Sequence, residues 1–120
     1  MHIEDLRDYC LSKPYVNEEL PFGPDTLVFK VGGKVFALLG IDQLGDDLRI
    51  NVKCDPERAI ALRSEFADTV FPGYHMNKKH WNTMHCNRQL SDSEIQKLID
   101  HSYDLIFEAL PKAVKATLLG

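Results

Sequence analysis

A two-glycine turn between two alternating strands constrains this chain more than any other feature. Thr26-Leu-Val-Phe-Lys-Val31 places Leu27, Phe29 and Val31 on one face, and Lys34-Val-Phe-Ala-Leu-Leu39 returns after Gly32-Gly33. Glycine adopts the two successive positive φ angles of a tight hairpin turn without a Cβ penalty. The pairing it enforces is antiparallel. A polar loop with Asp42, Gly45, Asp46 and Asp47 leads to a third strand, Leu48-Arg-Ile-Asn-Val-Lys53. There Leu48, Ile50 and Val52 point inward and Arg49, Asn51 and Lys53 outward.

Helical signals bracket these strands. From Ile3 to Ser12, Ile3, Leu6 and Cys10 share a face with Tyr9 alongside, while Glu4, Asp5 and Asp8 suit the positive end of the helix dipole. Pro14 stops that helix. Tyr15 to Asp25, with Pro21, Gly23 and Pro24, is predicted to be an irregular or edge segment. Asp55-Pro56 combines an N-cap carboxylate with proline at the first helical position. The helix it opens should run to about Phe66 and bury Ala59, Ile60 and Leu62. Thr69 to Phe71 is predicted as a short strand, Pro72-Gly73 as a turn, and Trp81 to Cys86 as the last strand. Ser91 and Glu94 have capping-box spacing. The helix beyond them carries a stripe of Ile95, Leu98, Ile99, Ser102, Ile106 and Ala109. Pro111 ends it or starts a short helix to Leu119. This order predicts a single α+β domain over residues 1–120. Its antiparallel sheet should have roughly four to six strands, with helices from both ends of the chain packed on one side.

Function is written less sharply. The three cysteines, Cys10, Cys54 and Cys86, form no C-x-x-C pair and read as reduced thiols. Neither a signal peptide nor an apolar run long enough to cross a bilayer is present, so a cytoplasmic protein is expected. The net charge is −4, and most of the 18 acidic residues precede Thr69. By contrast Thr69 to Ser91 contains no Asp or Glu, and holds Lys78, Lys79, Arg88, His75, His80, His85, Tyr74 and Trp81. An acid-free run of donors with an aromatic beside it suits an anionic partner, phosphate above all. Lys78, Lys79 and Arg88 are the candidate phosphate contacts, Asn77 and His80 candidate hydrogen-bonding groups, and Lys34 a further cation in the hairpin. Trp81 is expected in the core, as a lone tryptophan opening a strand usually is. Steps of five between His75, His80 and His85 do not form one face, so no metal site is expected. No nucleophile–base pair can be assembled, and His85 and Cys86 should point apart. No catalytic residue and no cofactor is expected.

Several marks resemble the MmcQ/YjbR family of small bacterial proteins. They are Tyr9-Cys10, Lys13-Pro14, Pro21-Phe22-Gly23, Val31-Gly-Gly-Lys-Val-Phe-Ala37, Val52-Lys53, His75-Met-Asn-Lys-Lys-His-Trp81 and Ser102-Tyr103-Asp-Leu105. The resemblance implies a CyaY-like (frataxin-like) two-layer domain and a non-enzymatic role in DNA binding through a "double wing" of hairpins. The expected partner is duplex DNA, held weakly and without sequence preference by a monomer, since the footprint is small and the net charge negative. The rival expectation is a protein-interaction or small-ligand-binding module that uses the sheet face.

Overall fold

The computed structural model describes residues 1–40, 48–73 and 76–120. The elements are α1 (Ile3–Ser12), β1 (Val16–Glu19), β2 (Thr26–Val31), β3 (Lys34–Gly40), β4 (Arg49–Lys53), α2 (Pro56–Glu65), β5 (Val70–Pro72), β6 (Trp81–His85), α3 (Asp92–Glu108) and α4 (Lys112–Leu119). The six strands form one sheet in the order β1-β2-β3-β4-β6-β5, antiparallel at every pairing. This is the two-layer α+β, CyaY-like arrangement. Tyr15–Asp25 supplies an edge strand, β1, and Pro111 N-caps α4. The expected loop residues Asp42, Gly45, Asp46 and Asp47, together with Tyr74 and His75, lie outside the described residues.

All four helices reach a single core on one side of the sheet. Leu6 and Cys10 of α1 and Ile95, Leu98, Ile99, Tyr103 and Ile106 of α3 meet Phe29, Ala37, Leu39, Ile50, Val52 and Met84 from the strands. Leu62 and Phe66 flank this cluster from the α2 side, and Val114 and Leu118 from α4. Two helical positions differ from the sequence pattern. Ile60 is 64% exposed, because α2 turns Ala59, Leu62 and Phe66 inward, and Ile60 sits about 100° round from Ala59. Ala109 is exposed too: it is the C-cap of α3, and the chain buries Leu110 instead.

The hairpin turn has φ +58° at Gly32 and +80° at Gly33, the two left-handed positions its sequence demanded. A Cβ on Gly32 would stand 2.7 Å from a Leu110 methyl and 3.0 Å from Val114, so the turn is seated against the α3–α4 junction. The β2–β3 register slips between Phe29 and Lys30, which pair with Ala37 and Val35. The extra residue, Phe36, is fully buried beside its neighbour Ala37, and its ring meets Tyr103 edge-on at 5.4 Å. A bulge interrupts ladder bonding, and Ser102 repairs it from the helix layer. Its hydroxyl donates to Phe36 O at 2.6 Å and accepts from Lys53 N at 2.9 Å.

The Tyr9, Lys13-Pro14 and Tyr103 marks hold α1 to α3. The Tyr9 hydroxyl and the Lys13 ammonium both donate to Asp100 Oδ1 at 2.6 Å, and the Tyr103 hydroxyl donates to Pro14 O. Burial, then the hydrogen bond to the Asp100 carboxylate, pushes the Tyr9 phenol up to about 12. No helix among the described residues is long and apolar enough to cross a membrane.

Candidate nucleic-acid interface

Strand alternation fixes which side chains share the face that no helix among the described residues covers, the helix-free face. Val52 pairs with Asn82 and Ile50 with Met84 on the core side, so Lys53–Trp81, Asn51–Thr83 and Arg49–His85 occupy the other. Phe71 joins them, opposite Thr83 and 37% exposed. Toward β1 this face closes: Val28 is fully buried, and Lys30 is paired with Glu19 at 2.5 Å. The accessible part is therefore the β4–β6–β5 side.

Trp81 corrects the sequence expectation. Its register opposite Lys53 puts it on the helix-free face, where it is half-buried and outside the core cluster. Gly73 accommodates it, since a Cβ there would lie 2.7 Å from Trp81 Cβ.

Lys78 and Lys79 sit in the turn that feeds β6. Asn77 O accepts from His80 N and Trp81 N at 3.2 and 3.0 Å, and Asn77 Oδ1 accepts from Lys79 N at 2.9 Å. The Asn77 side chain therefore folds the turn, in the manner of an Asx turn, and exposes both lysines. His80 is half-buried, and its carbonyl accepts from Cys54 N at 2.7 Å. Beneath the turn lies Arg63, which no motif or spacing singles out. Its Nε donates to Asn82 Oδ1 at 2.7 Å, and its Nη2 to Lys78 O and to Trp81 O. The guanidinium fork thus braces the basic turn from α2.

The structure brings some of the candidate cations together and separates others. Because β4 runs antiparallel to β3 and β6, Lys34, Lys53 and the Lys78–Lys79 turn all lie at one end of the sheet. Arg88 lies beyond the other end of β6. The strand alone spans about 13 Å at the usual rise per residue, so the acid-free run is not one patch. Arg88 Nη1 donates to Asp68 O at 2.7 Å, and Gln89 receives Thr69 Oγ1, so this segment clasps the α2–β5 loop.

The remaining chemistry is quiet. His80 and His85 stand at opposite ends of β6, and no group of three or more His, Cys, Asp or Glu able to hold a metal occurs among the described residues. Burial raises all three thiols, Cys10 to about 12 and Cys86 to about 11. His101 accepts from Asp55 N through Nε2 at 3.2 Å, and burial, then Arg58, lowers its pKa. A shallow groove between α1 and α3 is lined by Asp5, Asp8, Tyr9 and Asp92, remote from the basic turn.

Comparison with known proteins follows the same outline. The YjbR family model matches residues 11–105. The chain is 36% identical over 113 residues to the uncharacterised protein YbdF of Escherichia coli O157:H7, covering 91% of this chain and 87% of that protein. It is 31% identical over 119 residues to the uncharacterised protein YjbR of Escherichia coli K12, covering 99% and 98%. The crystal structure of Deinococcus radiodurans protein DR2400, with a DUF419 domain, superposes with a TM-score of 0.88 at 38% identity, covering 97% of this chain and 86% of that one. A crystal structure from Pseudomonas syringae gives 0.74 at 33% identity, covering 88% and 99%.

Proposed function

We propose, from the premise that this chain belongs to the YjbR family, that it is a small non-catalytic cytoplasmic protein that binds DNA through the phosphate backbone. The observation that carries this reading is the gathering of Lys34, Lys53, Lys78 and Lys79 at one end of the sheet. Among the described residues none of the four is held in a salt bridge. Cations without a carboxylate partner, two of them on the braced turn, are available to release counterions from a polyanion. The high pKa values of the buried thiols support a role without nucleophilic chemistry.

Four lysines engaging four phosphates of a duplex give a log–log salt slope of about −3.6, and affinity that is weak and indifferent to sequence. Fluorescence anisotropy of labelled DNA, as duplex and as single strand, at two salt concentrations tests this. Binding to the duplex with a slope near about −3.6, or to the single strand with a slope of about −2.8, lost in the folded Lys78→Glu/Lys79→Glu variant, is the expected result. No binding to either form at low salt would sink the reading.

A second reading draws on another surface. Tyr15, Leu20 and Phe22 are 47%, 50% and 71% exposed beside the edge strand β1, an arrangement suited to a protein partner. If the chain is the monomer we propose, sedimentation will give one species at the mass of 13.7 kDa. Self-association abolished by Leu20→Ser/Phe22→Ser would shift the weight to this second surface.

A further inference from the structure

The basic end of the sheet is accompanied by two aromatic rings on the helix-free face. Trp81 faces Lys53 across the β4–β6 pairing, and Phe71 faces Thr83 across the β5–β6 pairing. Trp81 and Phe71 are thus diagonal neighbours, about 7–8 Å apart at the backbone, so each can take its own ring partner. Phe71 is steadied by His85, edge-on at 5.3 Å and 79°. Both rings remain partly open to solvent.

We infer that this site takes nucleic acid as a single strand, with phosphates on Lys53, Lys78 and Lys79 and unpaired bases stacked on Trp81 and Phe71. The inference rests on the DNA reading above and adds the form of the strand. Stacking needs bare base faces, which a single strand offers and an intact duplex covers with its own neighbours. Reading the bases of a duplex instead needs an element that can enter a groove. The described helices lie on the far side of the sheet from these rings, and the hairpin turn is seated against Leu110 and Val114 instead of projecting freely. Charge and rings together match a stacking platform beside a backbone track, the arrangement that binds single strands without reading sequence.

The single tryptophan makes the test direct, because all indole emission comes from Trp81. A mixed-sequence single-stranded oligodeoxynucleotide and a duplex of equal length are titrated at low salt, reading anisotropy of the labelled DNA and Trp81 emission in parallel. The single strand should bind more tightly and quench Trp81. Phe71→Leu, which keeps an apolar side chain but removes the ring, should weaken it roughly tenfold, about the worth of one stacked base. Duplex binding as tight as single-strand binding, with Trp81 emission unmoved, would overturn the single-strand assignment while leaving the DNA reading in place. Unchanged affinity in Phe71→Leu overturns it as well. Silence from both forms in anisotropy removes the DNA reading itself, and this inference with it.

Discussion

Replacing Arg63 with alanine should unbrace the basic turn, and the size of the effect can be worked from its contacts. The Nε bond to Asn82 Oδ1 is charge-assisted, and its acceptor is 1% exposed. Losing it leaves a buried carbonyl oxygen short of a donor, which costs about 2 kcal/mol. The two Nη2 contacts, to Lys78 O and Trp81 O, lie nearer solvent. Water can replace the donor there, so about 0.5 kcal/mol each is reasonable. The sum is about 3 kcal/mol, roughly a 10 °C fall in Tm for a domain of this size. Urea unfolding followed by circular dichroism measures it. With an m-value of about 2 kcal/mol/M, the midpoint should drop by about 1.5 M while m stays constant. Arg63→Lys keeps charge and stem but cannot span three acceptors with one ammonium, so it should lose about half as much. Backbone amides of Lys79 and Trp81 should exchange faster in both variants. A loss below about 0.5 kcal/mol in Arg63→Ala, the level of an ordinary surface change, would refute the bracing role.

Other outcomes follow from features already described. Ser102→Ala strands Phe36 O and Lys53 N in a dry layer and should cost about 2–4 kcal/mol, measured by the same urea midpoint; Ser102→Thr, if it packs, should recover part of it. Gly32→Ala meets both a left-handed φ and Leu110, whereas Gly33→Ala meets only the φ in open space. Thermal melts should show the first as the more damaging, with Gly33→Ala losing about 1 kcal/mol. His101 has a lowered folded pKa, so below the unfolded value of 6.5 the unfolded state binds the proton more readily. Stability should therefore fall as pH drops from about 6.5 toward the folded pKa, and level off below it; His101→Gln should flatten that window in pH-dependent melts. The buried, raised thiols of Cys10, Cys54 and Cys86 should resist a disulfide reagent at pH 8 in the native protein and react promptly in urea.

What the sequence disclosed was the part written locally. The Gly32-Gly33 turn, the Asp55 cap ahead of Pro56 and the Ser91–Glu94 box each involve residues within a few positions, and each stands where expected. The end-on grouping of Lys34 and Lys53 with Lys78 and Lys79 was latent in the alternation, but required the order of strands to be known. Arg88 is near Lys79 only along the chain, because β6 runs extended between them. Trp81 was misplaced because its inward or outward facing depends on register with Lys53, which no single strand encodes. Arg63 and Ser102 were illegible for a deeper reason. Their partners lie 15 to 19 and 49 to 66 residues away, respectively, and neither residue type is unusual in a helix. The bulge at Phe36 left no mark either, since Phe36-Ala37 reads as ordinary strand.

Lys53 belongs to both layers at once. Its amide is bonded into α3 through Ser102, while its side chain stands on the helix-free face against Trp81. Ser102 works as a registration pin: advancing α3 by one residue, about 1.5 Å and 100°, would withdraw the hydroxyl from the gap in the ladder. The helix layer can therefore neither slide nor roll over the sheet without opening it. Any load placed on Lys53 from outside is transmitted through a single peptide unit to the middle of the longest helix. The Lys53 amide thus becomes a built-in strain gauge, and its hydrogen-exchange rate should report occupancy of the outer face from within the core.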